Sequence, residues 1–499
     1  MSKFGELSPK GFYTKFESKR NDYELMARRI SSMTLPYIMP REGSTSSTRY
    51  SDNIAQSYCG RLVQTLKAKM GMSLLPPSTS SFRLAPNNEA LVQLTEGNPD
   101  MIAEIFAKLS SVTAQINAEI EAQQIRDSMF DMLVQLIVVG SVVIEKVKDN
   151  GIMIHSLLGF TVDLDSRGEA RAICVLEKKK DLPEGIVPEK VKDEYNLYTL
   201  VERNPEDGKW YQTQSIEDDI VGEEVKYTEK TLPFQYVGWT WVNGDSYHRP
   251  YAEDSIEDME QYNTLSNLLT KGSIIASKSL ILVDQKGNRT RLSDVTDSEN
   301  GAVINGRADD ITAFQLSKNF DFQVPMERLA DIGKNLASAF LMNESVTRDA
   351  ERVTAQEIRF MAQELESSSL SGVYSKLSKK VSKRIVEWIM AEIGIKFNEV
   401  SVNIITGLDA LGRSQEAQKL DSLVQRMAQM NLAHWLNEAD LIQRYASFEG
   451  IDTTNLIKTP TQVADEQKQA ANAASMQQGS EALMQSAGQA AGQAVVPQQ

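Results

Sequence analysis

The chain has 499 residues, 41% of them apolar and 24% charged, so it is long enough to need more than one hydrophobic core and is globular in composition. Its 68 acidic residues against 53 Lys and Arg leave a net charge of −15, the opposite of the basic footprint of a protein that grips nucleic acid through phosphates. The charge argues against tight general DNA binding, and it does not exclude an acidic wall past which DNA slides without sticking.

In chain order, the opening residues MSKFGELSPKGF carry no apolar core of the signal-peptide kind, which argues against secretion. Residues 13–33 and 51–75 place apolar residues at helical spacing, and each stretch ends in a proline signal, Pro36 and Pro76-Pro77. Residues 102–122 and 127–139 continue the helical pattern, with Ile102, Ile105, Leu109, Val112, Ile116 and Ile120 on one face. The most apolar window, 129–147, contains Asp131, Gly140 and Glu145 and is no membrane span. From Gly140 the period changes to short β-type runs at 142–147, 152–154, 172–176, 195–202, 209–213 and 234–242. Turn formers separate them, including Asp149-Asn150-Gly151 and Asp165-Ser166-Arg167-Gly168.

Helix returns after Pro250, which suits a first helical position, with Glu253, Asp254 and Glu257 where the helix dipole favours negative charge. Ile256, Met259, Tyr262, Leu265, Leu268 and Leu269 mark its apolar face up to about Ser277. Short β-type runs follow at 279–283, 302–305 and 311–316, then a second helix over 325–342 with Leu329, Ile332, Leu336 and Phe340 on one stripe. A polar run, 343–352, has almost nothing to bury. Thr354-Ala-Gln-Glu357 is a capping-box sequence and opens the longest periodic stretch, to about Glu392, in which Gly372 is a candidate bend. A strand over 400–405 and helices over 411–430 and 438–448 precede an Ala/Gln-rich tail of low complexity from about residue 464.

Chemical motifs are scarce. The chain has no phosphate-cradling loop, and His155, His248 and His434 form no H-E-x-x-H or H-x-x-x-H pair, so each reads as structural and no metal or cofactor is expected. Cys59 and Cys174 are the only cysteines, too few for a disulfide scaffold or a thiolate cluster, and they suit a reducing compartment. Asp163-Leu164-Asp165 starts like a calcium loop but has Cys174 where a bidentate Glu is needed, so a hairpin turn is the better reading. Lys178-Lys179-Lys180, between Glu177 and Asp181, reads as a solvated face. The residues taken alone favour a structural or assembly protein over an enzyme.

The succession of helix, β excursion, helix, polar loop and long helix resembles the portal, or head-to-tail connector, family of short-tailed bacteriophages. The likeness is carried by Gly244-Asp-Ser-Tyr-His-Arg-Pro-Tyr251, Gly306-Arg-Ala-Asp-Asp-Ile311, Phe340-Leu-Met-Asn343, Glu351-Arg-Val-Thr-Ala-Gln-Glu-Ile-Arg359, Gly372-Val-Tyr374, Thr406-Gly-Leu-Asp-Ala-Leu-Gly-Arg413 and Gly450-Ile-Asp452. The blocks are short, but they run in order over nearly the whole chain.

The resemblance implies an α+β, mainly helical chain that assembles as a ring, usually of twelve subunits, at one capsid vertex. It implies a wing over 1–250, β-rich at 140–245; stem helices over 251–277 and 322–342; a clip over 278–321; a channel loop over 343–352; a long wing helix and strand over 353–407; a crown over 408–463; and the tail over 464–499. Glu344, Ser345, Thr347, Arg348, Asp349, Glu351 and Arg352 would then face DNA as stacked belts of mixed sign. Such belts suit transit, whereas an all-basic belt would add salt-dependent drag. Lys278, Lys286, Arg289 and Arg291 form a local basic cluster in the clip; it suits contact with DNA or an acidic partner at the channel mouth, and a solvated turn face is the plainer reading. The implied partners are other copies of the chain, double-stranded DNA in transit, the terminase large subunit, a tail adaptor, and major capsid, scaffolding and internal core proteins, with no membrane. The implied location is the virion, and the host cytoplasm during assembly. Competing readings are another virion ring such as a tail adaptor, a scaffold-type protein, or a hydrolase built on one lone histidine.

Overall fold

A computed structural model describes residues 7–44, 54–77, 81–86, 99–148, 150–180, 194–277, 280–283, 311–314, 322–342, most of 360–395, 400–404 and 420–430, with a few single positions after that. Ser8 accepts from the Gly11 amide at 3.1 Å with Pro9 behind it, so α1 (Pro9–Glu17) begins earlier than apolar spacing alone suggests. A tight turn, Ser18–Arg20, leads into α2 (Asn21–Met33). Arg20 in that turn is buried and donates to the Leu157 and Phe160 carbonyls, each at 3.1 Å, pinning the first helices to the β region.

Helix α3 (Tyr58–Leu74) starts later than the periodic stretch from 51 indicates, because the Gln56 side chain accepts from the Cys59 amide at 2.8 Å and caps the helix there. After β1 (Phe82–Pro86), α4 (Pro99–Ala122) buries Ile116 and Ile120. Helix α5 (Ile125–Val138) is the centre of the main core: Ile125, Met129, Met132, Leu133, Leu136 and Ile137 are all buried. Gly140 ends it with φ +89°, and a Cβ there would stand 2.5 Å from the Pro250 nitrogen, so only glycine lets the chain pass into β2.

Strand β2 (Ser141–Lys146) lies between β3 (Ile152–His155) and β9 (Phe234–Gly238) in an antiparallel three-stranded sheet. Between them in sequence, β4 (Phe160–Leu164), β5 (Ala170–Lys179), β6 (Tyr195–Arg203), β7 (Trp210–Ile216) and β8 (Asp219–Tyr227) form a five-stranded antiparallel meander. The turn at 165–168 is a β-hairpin: the Asp165 carboxylate accepts from the Arg167 and Glu169 amides, and no calcium geometry is needed to explain it. Helix α1 packs on the meander through Phe12, Tyr13 and Phe16 against Cys174, Tyr198 and Leu200. Apolar spacing marks no strand at 82–86, 160–164 or 219–227. Strand β8 is an exposed edge rich in Glu and Lys, the composition that guards a sheet edge and hides it from an apolar search.

A short 3-10 turn, Tyr251–Ser255, precedes α6 (Ile256–Ser277), so Pro250 stands just before that turn and not at the first position of an α-helix. Strands β10 (Leu280–Val283) and β11 (Ile311–Phe314) pair antiparallel, and α7 (Gln323–Ala339) returns. The long periodic stretch after residue 353 is not one helix among the described residues. The Ser367 and Ser368 hydroxyls turn back onto the Glu364 and Leu365 carbonyls, at 3.2 and 2.7 Å, and the Ser368 hydroxyl accepts from the Leu370 amide. Serines that satisfy their own backbone in this way compete with the helix. Helix α8 (Ser371–Leu377) follows that turn, and a π-helical turn, Ser378–Ser382, joins it to α9 (Lys383–Ile393). Gly372 is not the cause of the break, since a Cβ there would meet open space. The capping box at Thr354 and Glu357 lies outside the described residues.

Strand β12 (Val400–Ile404) pairs with β1, with Phe82 opposite Ile404, so the late part of the chain is tied back to the early helices. One main core runs through α2, α3, α5, β2, β9, the start of α6, the end of α7, and α8 and α9. Among the described residues no helix is long and apolar enough to cross a membrane.

Candidate functional site: a helix pair and the root of a polar loop

Helices α6 and α7 contact each other in reverse order along their lengths. Tyr251 meets Ala339 and Phe340, Tyr262 meets Gly333, and Gly272 lies under the Phe322 ring, so the two helices run antiparallel. At the inner end the Tyr251 hydroxyl donates to the Ala339 carbonyl, and its ring stands edge-on to Phe340 at 5.1 Å and beside Trp239 at 5.3 Å. Ile256, Met259, Ile332, Leu336 and Phe340 are buried there. Burial pushes the Tyr251 phenol up to about 12, so it remains a donor at any physiological pH.

Two earlier helices brace the pair. Arg29 of α2 donates to both oxygens of Glu260, at 2.6 and 2.7 Å, and to Glu257 at 2.9 Å; this two-pronged contact holds the Glu260 carboxyl below its usual range. Tyr58 of α3 stacks on Tyr262 at 5.0 Å and donates to the Gly333 carbonyl at 2.7 Å, touching both helices at once. Beyond this level the pair loses its cover. Leu268, Ile274, Val324 and Met326 are between 53% and 71% exposed.

Helix α7 ends on Phe340, and Leu341 takes φ +53° before the polar run begins. Lys69 of α3, only 3% exposed, donates to the Leu341 carbonyl at 2.5 Å and to the Glu364 carboxylate at 2.7 Å. The two sides of the polar run therefore meet at one ammonium. The candidate loop residues Glu344, Ser345, Thr347, Arg348, Asp349, Glu351 and Arg352, and the candidate basic cluster Lys278, Lys286, Arg289 and Arg291, lie outside the described residues. Sequence reading missed Lys69; its one signal was a cation on the buried stripe of Leu62, Leu66, Met70 and Ser73.

A sequence model of the family described as "Bacteriophage head to tail connecting protein" matches residues 9–457. The chain belongs to this family. Among curated relatives of this connecting protein, the "Portal protein" of Enterobacteria phage T3 is 30% identical over 93% of this chain and 90% of its own. That of Escherichia phage T7 is 29% identical over 96% and 94%, and that of Enterobacteria phage SP6 is 29% identical over 83% and 82%. A solved structure, the neck of an empty GTA particle, aligns with a TM-score of 0.38 at 10% identity over 79% of this chain and 95% of that one, too loose a likeness to bear on any residue.

The connecting-protein family is a structural one, and the two described histidines have structural surroundings. His155 is buried with Nε2 2.7 Å from the Glu145 carboxylate. His248 lies just before the inner end of α6. Its Nδ1 is 3.0 Å from the Tyr236 hydroxyl, its Nε2 faces the Lys376 ammonium at 3.3 Å, and a Cβ on Gly238 would overlap the ring. Burial first, then the charges of Lys376 and Lys380, push the His248 imidazole down to about 3, so it is neutral and accepts from Lys376. His434 lies outside the described residues.

Proposed function

We propose that this connecting protein is the portal subunit of a phage capsid: copies close into a ring at one vertex, DNA passes through the ring in packaging and ejection, and the packaging motor and then the tail dock on it. The observation that carries this reading is the helix pair. Its inner half is built into the chain's own core, while Leu268, Ile274, Val324 and Met326 leave the outer half apolar and uncovered, as helices packed side by side around a channel require. The relatives named portal proteins support the same reading over nearly the whole length.

In this reading α6 and α7 are the stem, the β10–β11 hairpin belongs to a clip over 278–321, and residues 1–250 with 353–407 form the wing. Residues 408–463 form the crown, 464–499 the tail, and the polar run 343–352 faces the channel. The partners are the terminase large subunit, a tail adaptor, and capsid, scaffolding and internal core proteins; the protein resides in the virion and, during assembly, in the host cytoplasm. The chain's net charge of −15 suits a wall that DNA passes without adhering.

Negative-stain microscopy of the purified protein tests the assembly. The expected particle is a ring with a central channel; for twelve chains of 55.6 kDa its mass is about 0.67 MDa. Monomers only, or closed particles without a channel, would sink the reading. Reversing the loop cations, Arg348→Glu with Arg352→Glu, is expected to leave rings intact and to impair DNA packaging or retention. Loss of rings in that variant would make the loop a subunit contact instead.

A further inference from the structure

Among the described residues, one group of side chains brings metal-ligating atoms together: Glu145 on β2, His155 on β3 and Glu177 on β5. Their ligand atoms all lie within 4.8 Å of one another. The first two belong to the three-stranded sheet and the third to the meander, so the cluster straddles the seam between two sheets. His155 is 7% exposed, and the Glu145 and Glu177 side chains are about four-fifths covered.

A hydrogen bond with His155 accounts for Glu145. It does not account for a second carboxylate within 4.8 Å, which Glu145 repels in a half-buried setting. The cation facing Glu177 is Lys179, at 2.7 Å, from a side chain that is 45% exposed and free to swing into water. Tyr227 of β8 also faces the group; its phenol is raised first by burial and then by the charge of Glu145.

We infer that Glu145, His155 and Glu177 form a binding site for a divalent transition-metal ion that ties the two sheets together. Imidazole nitrogen and two carboxylate oxygens make a ligand set suited to Zn2+, with one water completing a tetrahedron. Ligand bonds of about 2.0–2.2 Å place tetrahedral ligand atoms roughly 3.4 Å apart. Binding therefore has to open the 2.7 Å His155–Glu145 contact by less than an ångström and draw Glu177 inward. The ion's two charges cancel the two carboxylates and release Lys179 to solvent. Binding requires the Nε2 lone pair, so the ion and a proton compete for His155.

The test uses the untagged full-length chain, stripped with EDTA and titrated with ZnCl2 in a calorimeter, with Mg2+ as the control ion. The expected result is one Zn2+ bound per chain, a Zn2+-dependent rise in Tm, and no comparable effect of Mg2+. His155→Ala and Glu177→Gln are each expected to weaken Zn2+ binding by more than about tenfold, since even groups that only support a ligand are worth that much. Glu177 lies at the partly exposed rim and its glutamine variant keeps the shape, so this variant carries the test if His155→Ala fails to fold. The absence of Zn2+ binding, or binding that Glu177→Gln leaves unchanged, would overturn the proposal.

Discussion

The inner and outer halves of the α6–α7 pair have the same helical periodicity and opposite surroundings. The inner half is held by Tyr251, Phe340, Ile332 and Leu336 within the chain's own core. Further out along the same two helices, Leu268, Ile274, Val324 and Met326 are no less apolar and stand in solvent. The difference separates two sources of stability: the root draws on the fold of the single chain, and in the proposed ring the outer half draws on neighbouring chains.

The largest expected effect is at the root. Phe340→Ala removes a fully buried ring and is expected to cost about 3–5 kcal/mol in chemical denaturation of the chain. Next comes the ammonium that joins the two sides of the polar run. Lys69→Met removes the ammonium that bonds the Glu364 carboxylate and the Leu341 carbonyl in a largely covered site and is expected to cost about 3 kcal/mol; Lys69→Met with Glu364→Leu is expected to recover much of that loss. A double variant as unstable as the single one would show that the pair is not what holds the root.

Acidification is expected to loosen the root further. His248 is neutral in the fold because its pKa is pushed down to about 3, whereas an unfolded histidine takes a proton near 6.5. Between these values the unfolded chain binds the extra proton, so stability falls as pH falls from about 6.5 toward 3. A denaturation series from pH 7 to 4 is expected to show a shallower decline in His248→Gln than in the parent chain, even if the variant is less stable at pH 7.

The smallest effect on the isolated chain, and the sharpest test of the comparison, comes from the outer half. Leu268→Ser, Val324→Ser and Met326→Ser are each expected to change single-chain stability by no more than about 0.5 kcal/mol. Combined, they are expected to reduce the ring fraction on a sizing column. A combined variant that is strongly destabilised as a monomer would contradict the division between root and outer half.

Much of the architecture was legible where one segment carries its own instruction. The periodicity of 256–269 and 329–340 marks both helices, and the turn residues around 151 and 168 mark where the β region folds back. Family likeness, carried by blocks such as 244–251 and 351–359, reached the function further than any single site residue did. What escaped was decided by partners distant in sequence. Strand β1 exists because residues 400–404 lie beside it, and β8 because β7 offers an edge. The break at 367–370 is an intermediate case, since Ser367-Ser368-Ser369 was visible but nothing in the apolar spacing said that the hydroxyls would bond the backbone in preference to water.

The sequence by itself determined most of the helices, where the β region begins, and that the chain is an acidic, assembly-type protein, because those properties are sums over neighbouring residues. Only the tertiary structure decided that Lys69 joins Leu341 to Glu364, that His248 lies neutral just before α6, and that Glu145, His155 and Glu177 converge. Each of these depends on side chains from separate elements meeting in a low-dielectric setting, where position sets the energy and the spacing of residues along the chain carries no record of it.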